Sequence, residues 1–327
     1  MTKLICAVFT YFFLVICCGT VCAQNSNELI TETLSHLKQQ ERDKFENVLM
    51  NIFPTYLKEN LANYQNSIKL LGEKKYNEVY QNLDSLMHDD YFLEEILTDE
   101  NFKTLHNRND WKTFKTGLEN RLNQYDNTIR MLLKKIQYSD QGIRLILLYH
   151  QKNQPQDTAL TVLLNRQMKK IDLESAESVK KIIDDHGWLG KHQIGKEANE
   201  TLFLAIQHID DSVVQTKYLP ILSEAVKNKA AEPWQYAFLT DRILMNQGKK
   251  QRYGTQTIIS DKEYGGYVVP LENPDQVDKL RQEMGLESLK EYLNEFDIEW
   301  DLEKYKRDAV IIEKRFKDRF ESLRKNK

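Results

Sequence analysis

Apolar residues recur along most of this chain at the three-to-four-residue spacing of amphipathic helices. Leu34, Leu37, Phe45, Val48, Leu49 and Ile52, with Glu41 among them, trace one such stripe, which Pro54 interrupts. Tyr64, Ile68 and Leu71, then Tyr76, Val79, Leu83 and Leu86, make two short stripes around Gly72 and predict a helical hairpin. A helix from Glu119 to about Gln137 follows, carrying Leu122, Ile129, Leu132, Leu133 and Ile136. A new one is expected to be capped by Ser139 or Asp140. Thr158 to Ile183 reads as two helices, the second starting near Asp172 and stopped by Gly187 in the left-handed conformation. Leu202 to Ile206 is apolar on nearly every side, which a helix tolerates only when buried all round. One region is β-rich: Tyr253–Ile259 and Tyr267–Leu271 flank DKEYGG and predict a hairpin. Helices return over Pro274–Gly285 and Leu289–Phe296, and a last one carries Tyr305, Ala309, Ile312, Phe316, Phe320 and Leu323. The expected fold is therefore mainly α, a helical hairpin domain followed by a multi-helix domain with one small β-hairpin.

The first residues have a different pattern. Lys3 precedes an apolar run from Leu4 to Cys18, and Val21-Cys22-Ala23 forms a small-residue cleavage site. The run is short against the ~20 residues of a membrane span, so a cleaved secretory signal over residues 1–23 is expected, with no integral membrane segment after cleavage. A lipoprotein acylated at Cys18 or Cys22 is the alternative, but Cys17 and Val21 are poor neighbours for that processing. The expected divisions are 24–137 for the hairpin domain, 138–300 for the second domain and 301–327 for a docking helix. The chain would then be periplasmic or secreted. All four cysteines lie in the signal, so the mature chain has no disulfide, thiol nucleophile or thiolate metal site. With 46 Lys and Arg against 49 Asp and Glu, a net charge of -3 offers no field for a nucleic acid.

Residues able to do chemistry gather between Leu202 and Gln256. On the helix that Pro233 opens, Trp234, Ala237, Phe238, Leu244 and Met245 share a face with Asp241. A carboxylate aimed at a core requires a partner, and Arg242 points about 100° away. Four groups compete for it: Arg144, His208, Arg252 and the backbone amides of Gly254 and Thr255. Paired with His208, Asp241 could orient a general base, with Arg144 or Arg242 holding an anion. Otherwise Asp241, His208 and the loop form a structural network. Gln207, Gln251, Tyr253, Thr255 and Gln256 add neutral donors and acceptors suited to sugars, peptides or amides. No phosphate loop, nucleophile elbow, dinucleotide fingerprint or His-x-x-x-His pair occurs. His186 and His208 with Asp210 or Asp211 make a weak metal set, and neither metal nor cofactor is expected.

Two stretches are familiar. LTDENFKTLHNRNDWKTF, with Asp99, Phe102, Leu105, Trp111 and Phe114, resembles the segment that closes tetratricopeptide-type hairpins. LFLAIQH, Gln215, Lys217-Tyr218-Leu219-Pro220, Asp241-Arg242, Gly248, Gln251 and Tyr253-Gly254-Thr255-Gln256 together resemble a bacterial family known only as a domain of unknown function. Asp140-Gln141, Arg144, Asp172 and Gly187-Trp188 match it upstream, and Pro270, Pro274, Val277, Asp278, Arg281, Gly285 and Leu286 downstream. Ser175, Leu189 and Thr240 depart from the pattern, which bears on Asp172 more than on Asp241 or His208. The resemblance implies a mostly helical domain on exported proteins and no reaction.

Three functions fit these residues. The leading expectation is an exported protein that binds a polar small molecule or peptide in a pocket of the second domain. A hydrolase using His208 and Asp241 in that pocket is the alternative, and a structural envelope module without a pocket is the third.

Overall fold

A computed structural model describes residues 55–153, 156–258 and 265–325. The signal segment with its cysteines, the stripe from Leu34 to Ile52, and Pro54 lie outside the described residues. Helix α1 (Thr55–Gly72) and helix α2 (Tyr76–His88) form the expected hairpin. The chain reverses between them with Lys74 at φ 59°, two residues beyond the glycine. Helix α3 (Leu93–Thr98), a 3-10 turn (Glu100–Leu105) and helix α4 (Asn109–Leu122) follow. Phe102, Leu105, Trp111, Phe114 and Leu118 are buried with Tyr64, Val79, Leu83 and Leu86 in one core. Asp99 fixes the turn, accepting from the Asn101 amide at 2.8 Å and from the Tyr64 hydroxyl at 2.7 Å.

Two long helices depart from the expected boundaries. Helix α5 runs unbroken from Asn127 to Asn153, and the break falls before it, at residues 123–126. Asp126 is the residue that starts it, because its carboxylate accepts the amides of Thr128 and Ile129, both at 3.1 Å. Asp140 caps nothing. Its carboxylate turns sideways to Gln141 Nε2 (2.6 Å) and to Arg144 one turn on (3.0 Å), so the helix passes through it. Helix α6 (Thr158–His186) is likewise continuous through Asp172, which accepts Arg144 Nη2 at 2.7 Å. Gly187 stops it as expected, at φ 71° with its amide on the Ile183 carbonyl.

Helices α7 (Lys191–Ile194), α8 (Lys196–Gln207), α9 (Ser212–Lys227) and α10 (Pro233–Asn246) come next. On α8, Leu202, Phe203, Ala205 and Ile206 are buried, as the apolar run demands. The described sheet is small: β1 (Thr257–Ile258) pairs antiparallel with β2 (Tyr267–Val268), Thr257 opposite Val268 and Ile258 opposite Tyr267. Tyr253–Gln256, expected in the first strand, is a loop whose amides are used elsewhere. A 3-10 turn (Pro274–Gln276) leads into helix α11 (Val277–Glu283), then helix α12 (Leu289–Asn294) and helix α13 (Leu302–Lys325).

The chain divides into two compact units. Among the described residues, one comprises those up to Val179 with Leu189–Leu202, and the other Lys180–Trp188 with those from Phe203 onward. In the second, Tyr267, Val268, Leu271, Val277, Leu289, Leu293, Tyr305 and Ile312 share a core. Helix α13 joins it through Tyr305 and Ile312, with the Tyr305 hydroxyl accepting the Leu271 amide at 2.7 Å and ion pairs from Lys306 to Asp275 and from Glu313 to Lys250.

Because Asp126 satisfies two amides at the start of α5, Asp126→Ala should lower stability by about 1 kcal/mol in urea unfolding. An unchanged midpoint would mean that the start of α5 does not depend on this cap.

Candidate functional site

Helix α10 begins at Pro233, whose missing N–H costs nothing at the first helical position. The Gln235 side chain reaches back to accept the Glu232 amide at 3.0 Å. Gln235, Ala237, Leu239, Asp241 and Ile243 are all buried, with Asp241 fully so. The chain then leaves α10 and folds back so that residues 252–255 enclose the Asp241 carboxylate. Oδ1 accepts the Arg252 amide at 2.8 Å and the Tyr253 amide at 3.1 Å. Oδ2 accepts the amides of Tyr253 (3.1 Å) and Thr255 (3.0 Å) and the Thr255 hydroxyl (3.0 Å). Burial pushes the Asp241 carboxyl above its ordinary range, while the three amides and the hydroxyl, donating to the ionised form, pull it back.

The outer side of the loop is equally engaged. Arg281, on α11 and fully buried, donates from Nη1 to the carbonyls of Tyr253 (3.0 Å) and Gly254 (3.3 Å) and from Nε to the Glu287 carbonyl (2.6 Å). Its guanidinium carbon lies 4.8 Å from the Tyr292 ring centre, and the Tyr292 hydroxyl donates to the Thr255 carbonyl at 2.8 Å. Gln251 acts as a surrogate strand. Its Oε1 accepts the Gln256 amide (2.8 Å), and its Nε2 donates to the carbonyls of Gln256 (2.9 Å) and Val269 (2.7 Å). Gly254 sits at φ 68°, and a Cβ there would lie 2.9 Å from Leu289 Cδ1, so both backbone and space require glycine.

The structure therefore gathers Asp241, Gln251, Tyr253, Thr255 and Gln256 into one buried network. His208, partly buried just past the end of α8, is not among the groups on the Asp241 carboxylate, so the expected dyad is not joined through it. Arg242 is partly buried and makes none of those bonds either. Gln207 reaches α10 by a long bond from Nε2 to the Phe238 carbonyl, 3.4 Å. Arg144 belongs to the first unit, where it bridges Asp140 and Asp172.

Two residues outside the expected site matter as much as those within it. Arg281 was identifiable from its spacing, since it lies one turn from Val277 on the apolar side of α11. Gln215 closes the end of α8: its Nε2 donates to the carbonyls of Ile206 (3.2 Å) and Gln207 (3.1 Å), and its Oε1 accepts Asn246 Nδ2 at 3.1 Å.

These residues fall within a segment, 129–304, that matches the model of a family of unknown function, DUF6624. The chain belongs to DUF6624. No curated protein and no solved structure matches it. The DUF6624 segment covers the Asp241 network, with Gln251, Thr255, Gln256 and Arg281 that hold the loop, and also the Arg144 bridge between α5 and α6.

Asp241→Asn puts an amide donor against backbone donors, so it should cost about 3 kcal/mol or more in urea unfolding, whereas Thr255→Val, which removes one of several bonds, should cost about 1 kcal/mol. Equal and small effects of the two would mean that the carboxylate is not what holds the loop.

Proposed function

We propose that the DUF6624 region of this helical, exported protein binds a polar small molecule or peptide, with the Asp241 network as the rigid support of the site and not its chemistry. The supporting observation is a set of buried polar atoms on α8 and α10 that have no hydrogen-bond partner: Gln207 Oε1, Gln235 Nε2 and Thr240 Oγ1. Buried acceptors and donors of this kind are costly, and they are retained where a ligand or an ordered water completes them. The same two helices carry aromatic rings. Phe203 meets Trp234 edge-on at 5.1 Å, and Trp234 meets Phe238 at 5.9 Å. One carboxamide acceptor and one carboxamide donor on helices that also carry apolar rings suit an amide or a sugar, which present both polarities and an apolar face.

A hydrolase built on His208 and Asp241 draws no support from this geometry, because the Asp241 oxygens are taken by the loop. Export rests on the signal-like first 23 residues. Among the described residues no helix is long and apolar enough to cross a membrane.

A thermal-shift screen of the chain against cell-envelope sugars, short peptides and amides tests the reading. A ligand at about a hundred times its Kd adds ~2.7 kcal/mol and raises Tm by several degrees. The shift should disappear in Gln207→Leu and Thr240→Val while Tm without ligand changes little. No shift across the screen, or a shift indifferent to both substitutions, would contradict the proposal.

A further inference from the structure

The first unit buries charge that the network around Asp241 does not involve. Arg130 and Lys134, one turn apart on α5, are both at least 95% buried. Arg130 makes a two-pronged pair with Glu94 of α3, Nε to Oε1 at 2.8 Å and Nη2 to Oε2 at 3.1 Å. Lys134 Nζ lies 2.6 Å from Glu94 Oε2, 2.7 Å from Glu95 Oε2 and 3.6 Å from Glu197 Oε2 on α8. The Tyr138 hydroxyl donates to the other oxygen of Glu95. Around this centre, Asp90 is neutralised by Arg121 and bonded by Tyr125, while Glu200 of α8 accepts the Tyr91 hydroxyl and Lys196 lies over the Tyr91 ring.

The centre therefore holds three carboxylates against two cations. A buried net charge is expensive, and the cheapest remedy is a proton on the carboxylate with the weakest hold. That carboxylate is Glu197. Its Oε2 has no hydrogen-bond partner and stands farthest from Lys134, and Nη1 of Arg130 also lacks one. Gly195, at φ 79°, makes room for that guanidinium, since a Cβ there would lie 2.6 Å from Nη1.

We propose that this cluster is a proton-binding site, in which Glu197 takes up a proton as the pH falls from alkaline to mildly acidic and the first half of α8 is thereby held more firmly to α3 and α5. Burial raises the Glu197 carboxyl to about 7, with Lys134 opposing and Glu95 reinforcing the rise. The folded chain thus binds this proton more tightly than the unfolded chain. The resulting stability is fully present below the ordinary glutamate range, near pH 4.5, and is lost as pH rises through about 7. Glu94 works in the opposite sense. Burial opposes ionisation there, but Lys134 and Arg130 outweigh it and hold the carboxyl down at about 2, so its contribution is present above pH 4.5 and lost only in strong acid. Of these two carboxylates, Glu197 is the one whose effect varies between pH 5 and 8.5.

The test is Tm of the full chain at pH 6 and pH 8.5 at equal ionic strength. The wild type should melt several degrees higher at pH 6. Glu197→Gln, fixed in the neutral form, should lose most of that difference and melt above the wild type at pH 8.5. Glu94→Gln removes one of the carboxylates that favour the proton on Glu197, so it should melt lower at both pH values and narrow the difference. An undiminished difference in Glu197→Gln overturns the proposal. Independently of any variant, wild-type protein carrying carbon-13 glutamate should show the infrared band of a protonated carboxyl at pH 6 that is gone at pH 8.5, and absence of that band at pH 6 would also overturn it.

Discussion

A carboxylate buried without donors costs several kcal/mol, and so does a run of backbone amides buried without acceptors. Asp241 and the loop after α10 each resolve the other's deficit. Residues 252–255 bring three amides and a hydroxyl to one side chain, and in return the loop gains an acceptor at the one place where neither helix nor sheet supplies it. Everything downstream depends on that exchange. Once the loop is closed, Gln251 and Gln256 line up with Val269, β1 meets β2, and Arg281 of α11 finds the carbonyls of Tyr253 and Gly254. Tyr292 of α12 then closes the last of them at Thr255.

The two units handle buried polarity in different ways. The second uses neutral amides wherever it can: Gln215 for the end of α8, Gln251 for the missing strand, Gln235 for the start of α10. Such groups bond in either polarity and carry no charge to desolvate, so their bonds persist across pH. The first unit concentrates full charges where α3, α5 and α8 meet, with one carboxylate in excess. That solution is stronger per contact and sensitive to protonation. Each unit nonetheless holds one carboxyl that burial raises, Glu197 in the first and Asp241 in the second, while the glutamine bonds of the second are indifferent to pH.

Much of this architecture could be read from the chain before any coordinates. Helical periodicity located α1, α2, α8 and α13, and the anomaly of an aspartate on an apolar helical face singled out Asp241. Its partners were harder to read. Among the groups weighed, the Thr255 amide is used, but amides of Arg252 and Tyr253 complete the set, because the direction of a backbone N–H depends on loop dihedrals that side-chain identity does not encode. The boundaries of α5 and α6 were missed for a related reason. Asp140 and Asp172 have the chemistry of helix caps, yet Arg144 draws both carboxylates sideways, and a tertiary ion pair cannot be told from a cap by spacing. The loop residues Tyr253 to Gln256 have the β-rich composition of a strand, and the pull of Asp241 on their amides overrides it.

If the Asp241 carboxylate organises the second unit, the loop it holds should be as resistant to opening as the helix it belongs to. Native-state hydrogen exchange of the Arg252, Tyr253 and Thr255 amides measures this directly. Protection at the level of the α10 backbone is predicted. Exchange at the rate of an exposed surface loop would contradict it.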